Sequence, residues 1–386
     1  MIDTVVLILD YGNYRVTDHN KFIPSTERLF KNLKTGFGAK LYEKYIQNPP
    51  KSGPYGPRLT ITARKVDKRL LIPLRMEFSI PKLLYGDNVN EVCEADLNKV
   101  VARLRKRLKD MGVWVLTKDL EEATVSIVHF AKNILLSGGY TCHLTINELK
   151  KLDVSGKLQI GQTDYNNGGH LLRFRCGTYE IVFYDKSYDM GLPETAAFDK
   201  EQTPGQLRLL EEWGPRKPEI LRLEARFVKK QKLNAVLKEL GFKENPRFKE
   251  IFNEKLSQAV LRHYWSFIGT EKYAFMLKFQ EEKPDRIIEA ILQSGRRSTK
   301  ESLALLGTAL FLREHGIRAF KKVVTDRYSS RTWLRRMKKE IAELNKIFKK
   351  STPFGFVKDV ESTLREFKPF KTVDFQERML NNDKDD

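Results

Sequence analysis

The sequence predicts an α+β protein: an N-terminal mixed or antiparallel sheet with helices, followed by a mostly α-helical C-terminal part. Three observations carry this. Short runs rich in β-branched and aromatic residues recur through the first ~230 residues, separated by Gly- and Pro-bearing turns. Past Lys229 the texture changes to apolar residues at helical spacing, broken at Gly241, Pro246, Gly269, Pro284, Gly295 and Gly316. The 386 residues suffice for two cores, which divide naturally at 1–240 and 241–386.

The elements follow in order. Strands are expected at Thr4–Leu9, Leu59–Arg64, Leu70–Ser79, Thr124–Phe130, Leu171–Arg175, Tyr179–Tyr184 and Ile220–Phe227. Glu94 to Met111 repeats apolar residues at helical spacing with a basic outer face that includes Arg103, Arg105, Arg107 and Lys109. A second helix is expected over Thr145–Leu152, opened by a threonine cap. Residues 46–58 and 191–218 read as loops, the latter holding a short helix near Leu207–Glu212. The 286–345 region reads as a run of short helices.

Charge is the outlier. Seventy Lys and Arg against fifty Asp and Glu leave a formal +20. Such a chain accumulates on polyanions, of which nucleic acid is the commonest. A membrane-surface protein would need a basic amphipathic anchor or a lipidation signal, and neither is evident. No stretch reaches the ~18 apolar residues of a membrane span. MIDTVVLIL reads as a buried first strand rather than a secretory signal. Three scattered cysteines, Cys93, Cys142 and Cys176, form neither a disulfide framework nor a C-x-x-C metal motif, which fits a reducing cytoplasm.

Strand pleating then sorts the reactive side chains. Arg75 and Glu77 share a face; so do Arg222, Glu224 and Arg226; His129 sits mid-strand; Tyr184 and Lys186 close the run YEIVFYDK. A carboxylate inside a sheet is costly without a cation or metal beside it. Were these strands neighbours, Glu77, His129 and Glu224 would form a mixed O/O/N set for a hard divalent cation, Mg²⁺ or Mn²⁺, with Tyr184 beside it to attack a phosphate. Each residue has a plainer reading too: a surface ion pair for either glutamate, a structural role for the histidine, a core packing role for the tyrosine. Tyr188 is the rival nucleophile, in a turn beyond the strand.

In this order, MIDTVVLIL, RMEFSIPKLLYGDN, TVSIVHFAKN, YEIVFYDK and ILRLEARFVKK resemble the phage and plasmid replication initiators of the gene II/X family, over residues 1–242 and more loosely to 345. The resemblance implies a rolling-circle initiator, a nickase and strand transferase acting on a double-stranded origin. A tyrosine would take the 5′ phosphate, leave a 3′ hydroxyl as primer and later rejoin the displaced strand. By position Tyr184 matches the nucleophile, Glu77 and Glu224 match acids of the family's motifs, and Lys186 follows its Y-x-K pattern. Filamentous-phage members of the family carry an aspartate where this chain has His129, which weakens the match at that position. The resemblance also implies a bacterial-host cytoplasm, origin DNA as substrate, a host helicase and polymerase as partners, and assembly of several copies on DNA.

Basic residues extend this expectation. Lys229, Lys230 and Lys232 follow the Glu224 strand and are assigned to phosphates near the tyrosine. Residues 321–350 hold eleven Lys and Arg against three acids, and SSRTWLRRMKKEI offers Arg331, Arg335 and Arg336 to a groove or to backbone phosphates. The plainer reading is a solvated helix face packed through Trp333 and Leu334. Two other functions stay open: a non-catalytic sequence-specific DNA-binding regulator and a hydrolytic metal-dependent nuclease. A P-loop ATPase is disfavoured, since no G-x-x-x-x-G-K-[ST] occurs. Met276 is a further internal methionine at which a separate helical product would begin.

Overall fold

The computed structural model describes residues 1–35, 42–49, 53–66, 69–152, 154, 162–192, 202–214, 217–269, 283–295, 297–332, 335, 337–348 and 353–373. Trp333, Leu334, Arg336 and Met276 lie outside the described residues. The chain is α+β, with a large antiparallel sheet in its N-terminal part and helices in its C-terminal part.

The strands are β1 (Ile2–Leu9), β2 (Arg15–Val16), β3 (Tyr42–Gln47), β4 (Arg58–Val66), β5 (Arg69–Leu71), β6 (Leu74–Ser79), β7 (Val113–Trp114), β8 (Thr124–Leu135), β9 (Gln162–Asn166), β10 (Leu171–Cys176), β11 (Tyr179–Asp185) and β12 (Ile220–Phe227). Ten form one sheet in the order β3-β4-β6-β1-β8-β12-β11-β10-β9, with β5 paired to β4; β2 and β7 pair separately. Every strand pairing among the described residues is antiparallel.

Register turns the pleat into two chemically distinct faces. Val182 lies opposite Glu224, Glu224 opposite Ala131, and Arg226 opposite His129. Val6 lies opposite both Ile127 and Glu77. One face therefore carries Glu77, His129, Glu224, Arg222, Arg226 and Tyr184. The other carries Met76, Phe78, Phe130, Ile181, Phe183, Leu223 and Phe227, all buried.

Helices seal the apolar face. Helix 254–269 lays Tyr264 and Trp265 against Phe227 and Phe183, with ring centres 6.0 and 6.3 Å apart. Phe248 meets Phe78 edge-on at 6.2 Å. Leu104 and Leu108 of helix 97–110 and Val357 and Val360 of helix 355–366 join the same core cluster. Each such side chain contributes roughly 1.5–3 kcal/mol by leaving water. The apolar core is thus continuous across residue 240, where the change in sequence texture placed a boundary.

Several elements differ from their sequence expectation. The strand beginning at Thr124 runs on to Leu135, because Ala131, Lys132 and Asn133 keep pairing with β12. Leu70–Ser79 is two strands, broken before Leu74 at Pro73, which has no N–H to give. The helix expected from Thr145 starts at Cys142, since Thr141 caps it by accepting from the Leu144 N–H at 3.2 Å. The break expected at Gly316 is present: within Thr299–Arg327 two helices meet at a kink where Gly316 takes a non-helical backbone (φ 80°). A Cβ there would lie 2.7 Å from Lys151 Cα, and the adjacent Ile317 N–H donates to the Lys151 carbonyl at 3.0 Å. The glycine lets this helix dock on the sheet domain. No helix among the described residues is long and apolar enough to cross a membrane.

Candidate active site

Tyr184 is the last apolar-run residue of β11 and faces the polar side of the sheet, opposite Arg222 on β12. Its hydroxyl donates to Glu224 Oε1 at 2.6 Å. The same oxygen accepts from Arg222 Nε at 2.8 Å, while Oε2 accepts from Arg226 Nε and Nη2 at 2.6 Å. Glu224 is 1 % exposed, so all this takes place in a low-dielectric interior. Burial alone would raise its pKa; Arg226, Arg222 and nearby His129 outweigh it and hold the carboxyl far below its ordinary range. Burial pushes the Tyr184 phenol well above 10, with Glu224 adding to the rise and Arg222 opposing it.

Arg222 is the hub. Its Nη2 lies 2.9 Å from Asp3 Oδ1 on β1, and its Nη1 donates to the Asn88 carbonyl at 2.6 Å and to Asn133 Oδ1 at 3.3 Å. Two carboxylates, a carbonyl and an amide thus satisfy one buried guanidinium.

Lys186 departs from the strand. Asp185 accepts from the Tyr188 N–H at 2.9 Å and so caps a short helix, Lys186–Gly191, whose first residue is the lysine. Its side chain is fully buried, its Nζ has no hydrogen-bond partner, and it sits 5.7 Å from the centre of the Tyr184 ring. Burial, reinforced by Arg222, lowers its pKa to about 7 against the pull of Asp189, Asp3 and Glu224. An amine that loses its proton near neutrality beside a phenol can exchange protons with it.

The expected metal set does not assemble. Glu77 binds Arg75 at 2.5 Å, on a strand separated from β12 by β1 and β8, so roughly 14 Å of sheet lies between it and Glu224. His129 is one strand from Glu224 and bears on its charge, but both Glu224 oxygens are already taken by arginines and the tyrosine. Glu77, His129 and Glu224 share a face without sharing a centre, and do not fit a divalent cation as a triad.

Nor do the basic residues gather where the sequence placed them. Lys229, Lys230 and Lys232 follow the opposite end of β12, roughly 20 Å along the chain from Arg222, and Lys232 Nζ rests 4.9 Å from the centre of the Tyr179 ring. Arg331 and Arg335 are exposed in the C-terminal helical region.

Sequence reading missed the cover. Asn88 and Val89 reach Arg222 and Asn133 through their carbonyls, and Gln206 Nε2 donates to Asn88 Oδ1 at 2.7 Å. The loop is anchored from behind. Glu91 pairs with buried Lys132 at 2.5 Å, accepts from the Phe370 N–H at 3.0 Å and donates its own N–H to the Phe370 carbonyl at 2.9 Å. Lys371 reaches the Glu91 carbonyl and the Tyr85 hydroxyl, each at 2.8 Å. Tyr184 is consequently 6 % exposed. The signal was present as two adjacent polar residues, Lys132 and Asn133, between the apolar runs Phe130–Ala131 and Ile134–Leu136.

Tyr188 has the opposite surroundings. It is 37 % exposed and stacks flat on His170, rings 3.8 Å apart and 6° from parallel. His170 Nδ1 lies 3.0 Å from Asp185 Oδ2, and the His143 ring is 5.3 Å from that of His170. Asp185 also gathers with Cys142 and Glu219, the metal-capable group found among the described residues. Glu219 there accepts from the Cys142 N–H at 2.7 Å, which serves the first turn of helix 142–150, and burial with the two carboxylates keeps the thiol protonated. Comparison with known proteins finds no matching protein family, no matching characterised protein and no matching solved structure, so the resemblance drawn from the motifs stands on those motifs alone.

Proposed function

We propose that this protein is a tyrosine-dependent DNA strand transferase that nicks and rejoins one strand, as an initiator of rolling-circle replication does. The observation that carries it is the buried group in which Tyr184 bonds to Glu224 with an unpartnered lysine, Lys186, against its ring. Such a grouping is costly to bury and has no evident packing purpose, which is the mark of a reactive site.

The chemistry follows from the pKa order. A phenol and a carboxyl differ by about 6 units in water, roughly 8 kcal/mol against transfer of the proton to Glu224, and here burial of the phenol and the two arginines on the carboxylate widen that gap. Glu224 therefore orients the hydroxyl and does not deprotonate it. Lys186, with its pKa near 7, is the base: its Nζ, which makes no hydrogen bond in the closed site, must swing to the hydroxyl as the site opens, and its neutral amine then takes the phenol proton and becomes a cation beside the new phenolate. The tyrosyl oxygen bonds to phosphorus as the P–O3′ bond breaks, and the leaving oxygen takes up a proton as the 3′ hydroxyl. Arg222 and Lys186 offset the charge on the phosphorane. The phosphotyrosyl ester keeps the phosphodiester's energy, so reversal rejoins the strand without ATP. These steps need no ligand from Glu77. The loop 86–91 must lift for a strand to reach Tyr184.

A second reading has its own observation: Tyr188 is exposed and stacked on a histidine that Asp185 orients. In this version the nucleophile is Tyr188 and the Tyr184 group is a structural support. Both versions predict a covalent protein–DNA adduct; they differ in the tyrosine. Purified protein with supercoiled origin DNA and Mg²⁺ separates them. Loss of the 5′ adduct in Tyr184→Phe alone assigns Tyr184, and loss in Tyr188→Phe alone assigns Tyr188. Tight binding without any strand break supports a DNA-binding regulator; a break without an adduct supports a hydrolytic nuclease.

A further inference from the structure

Trp114 stands apart from the other described tryptophans. Trp213 and Trp265 are 7 % and 5 % exposed, whereas Trp114 on β7 is 43 % exposed, with Leu116 beside it at 47 %. Exposed indoles are rare because their apolar area is the largest of any side chain. This one borders a groove of about 520 Å³ between helix 97–110 and β7. Val101, Val113 and Val115 make an apolar floor, and Ala102 leaves the near wall low.

The rim is cationic. Arg105, Lys106 and Lys109 line it from the helix, all exposed, and Arg15 stands opposite Trp114 across the β2–β7 pair. Against the three lining cations Glu121 is the acid lining the groove. Arg105 Nε donates to the Val115 carbonyl at 3.2 Å, which fixes its guanidinium across the groove. The helical periodicity of residues 94–111 accounted for a wet basic face. It did not foresee that this face would end at an exposed indole.

We infer that this groove binds a stretch of single-stranded nucleic acid, one base stacking on Trp114 while Arg105, Lys106 and Lys109 hold the flanking phosphates. A base offers a flat apolar face with anionic phosphates on either side, which matches an indole inside a cationic rim. A duplex keeps its base faces stacked on one another and has none to offer. The groove uses no residue of the tyrosine group, and binding there is separate from strand transfer.

The test is fluorescence anisotropy of a short fluorescein-labelled oligothymidylate with the full chain, in EDTA, over a salt series. Trp114→Ala should weaken binding about tenfold or more, Trp114→Phe should restore most of it, and binding of a hairpin duplex of equal length should not change. Lys106→Glu with Lys109→Glu should flatten the salt dependence of oligothymidylate binding by a slope of roughly 1.4. Trp114→Ala binding oligothymidylate like the wild type overturns the assignment, and so does an equal loss for the duplex. Displacement of the oligonucleotide by polyglutamate that vanishes in Trp114→Ala would show instead that the groove takes acidic peptides. Because no cleavage is read, a protein inactive in strand transfer would leave this result intact.

Discussion

Tyr184 and Glu224 are joined by a 2.6 Å hydrogen bond between adjacent strands, and the glutamate that accepts it is clamped from both sides by Arg222 and Arg226. The tyrosine is held in one orientation, and its hydroxyl proton is harder to remove than in water.

Tyr184→Phe removes one hydrogen bond and leaves Glu224 with its arginines. The acceptor is charged, so a loss of about 1.5–3 kcal/mol in urea unfolding is expected. Glu224→Ala leaves two guanidinium groups facing a buried gap and should lose about 3–5 kcal/mol. Equal losses for the two variants would mean that Glu224 is not the anchor described.

Lys186 gives a pH signature. Its folded pKa is about 7 against about 10.5 unfolded, so the folded state binds fewer protons between those values and stability rises with pH across that window. The burden is fully present below pH 7. Lys186→Met should therefore raise stability most at pH 6, by up to roughly 4 kcal/mol, with the gain fading as pH approaches 10. The same group should set an ascending limb near pH 7 in the rate of adduct formation, and the variant should lack it. A flat stability difference from pH 6 to pH 10 would refute the buried, titrating lysine.

Glu91 works in the other direction. Burial would raise its pKa, but Lys132 and the Asn133 N–H hold it at about 2. The stability it confers is present above the unfolded value of about 4.5 and is lost as pH falls from there toward 2. Glu91→Gln should flatten acid unfolding in that range and cost about 3 kcal/mol or more at pH 7, because Lys132 is left buried without its ion pair. It should also free residues 367–373, seen as faster hydrogen exchange at the Phe370 amide.

Glu77→Gln tests the metal set. Glu77 pairs with Arg75 on a partly exposed site, so the substitution should change stability by less than about 1 kcal/mol. It should leave the Mg²⁺ dependence of adduct formation unaltered. A large shift in the Mg²⁺ requirement would mean that a conformation unlike this one brings Glu77 to the phosphate.

Much was legible in the chain itself. Local rules act over a few residues, so β-branched runs marked the strands and alternation grouped Glu77 with Arg75, Glu224 with Arg222 and Arg226, and Tyr184 with Lys186, while the register set Glu77, His129, Glu224 and Tyr184 on one face of the sheet. Position within that face was not legible. Glu77 and Glu224 look equivalent in sequence, and only the strand order β6-β1-β8-β12, a non-local arrangement, separates them. The pairing of Arg222 with Asp3, the buried and partnerless amine of Lys186, and the strap from Lys368 to Thr372 across Glu91 all join residues far apart in the chain. Sequence determined which side chains of each strand share a side, because the pleat is a two-residue rule. Tertiary structure decided which of them meet, because contact depends on strand order and on what packs above, and neither is written in a local pattern.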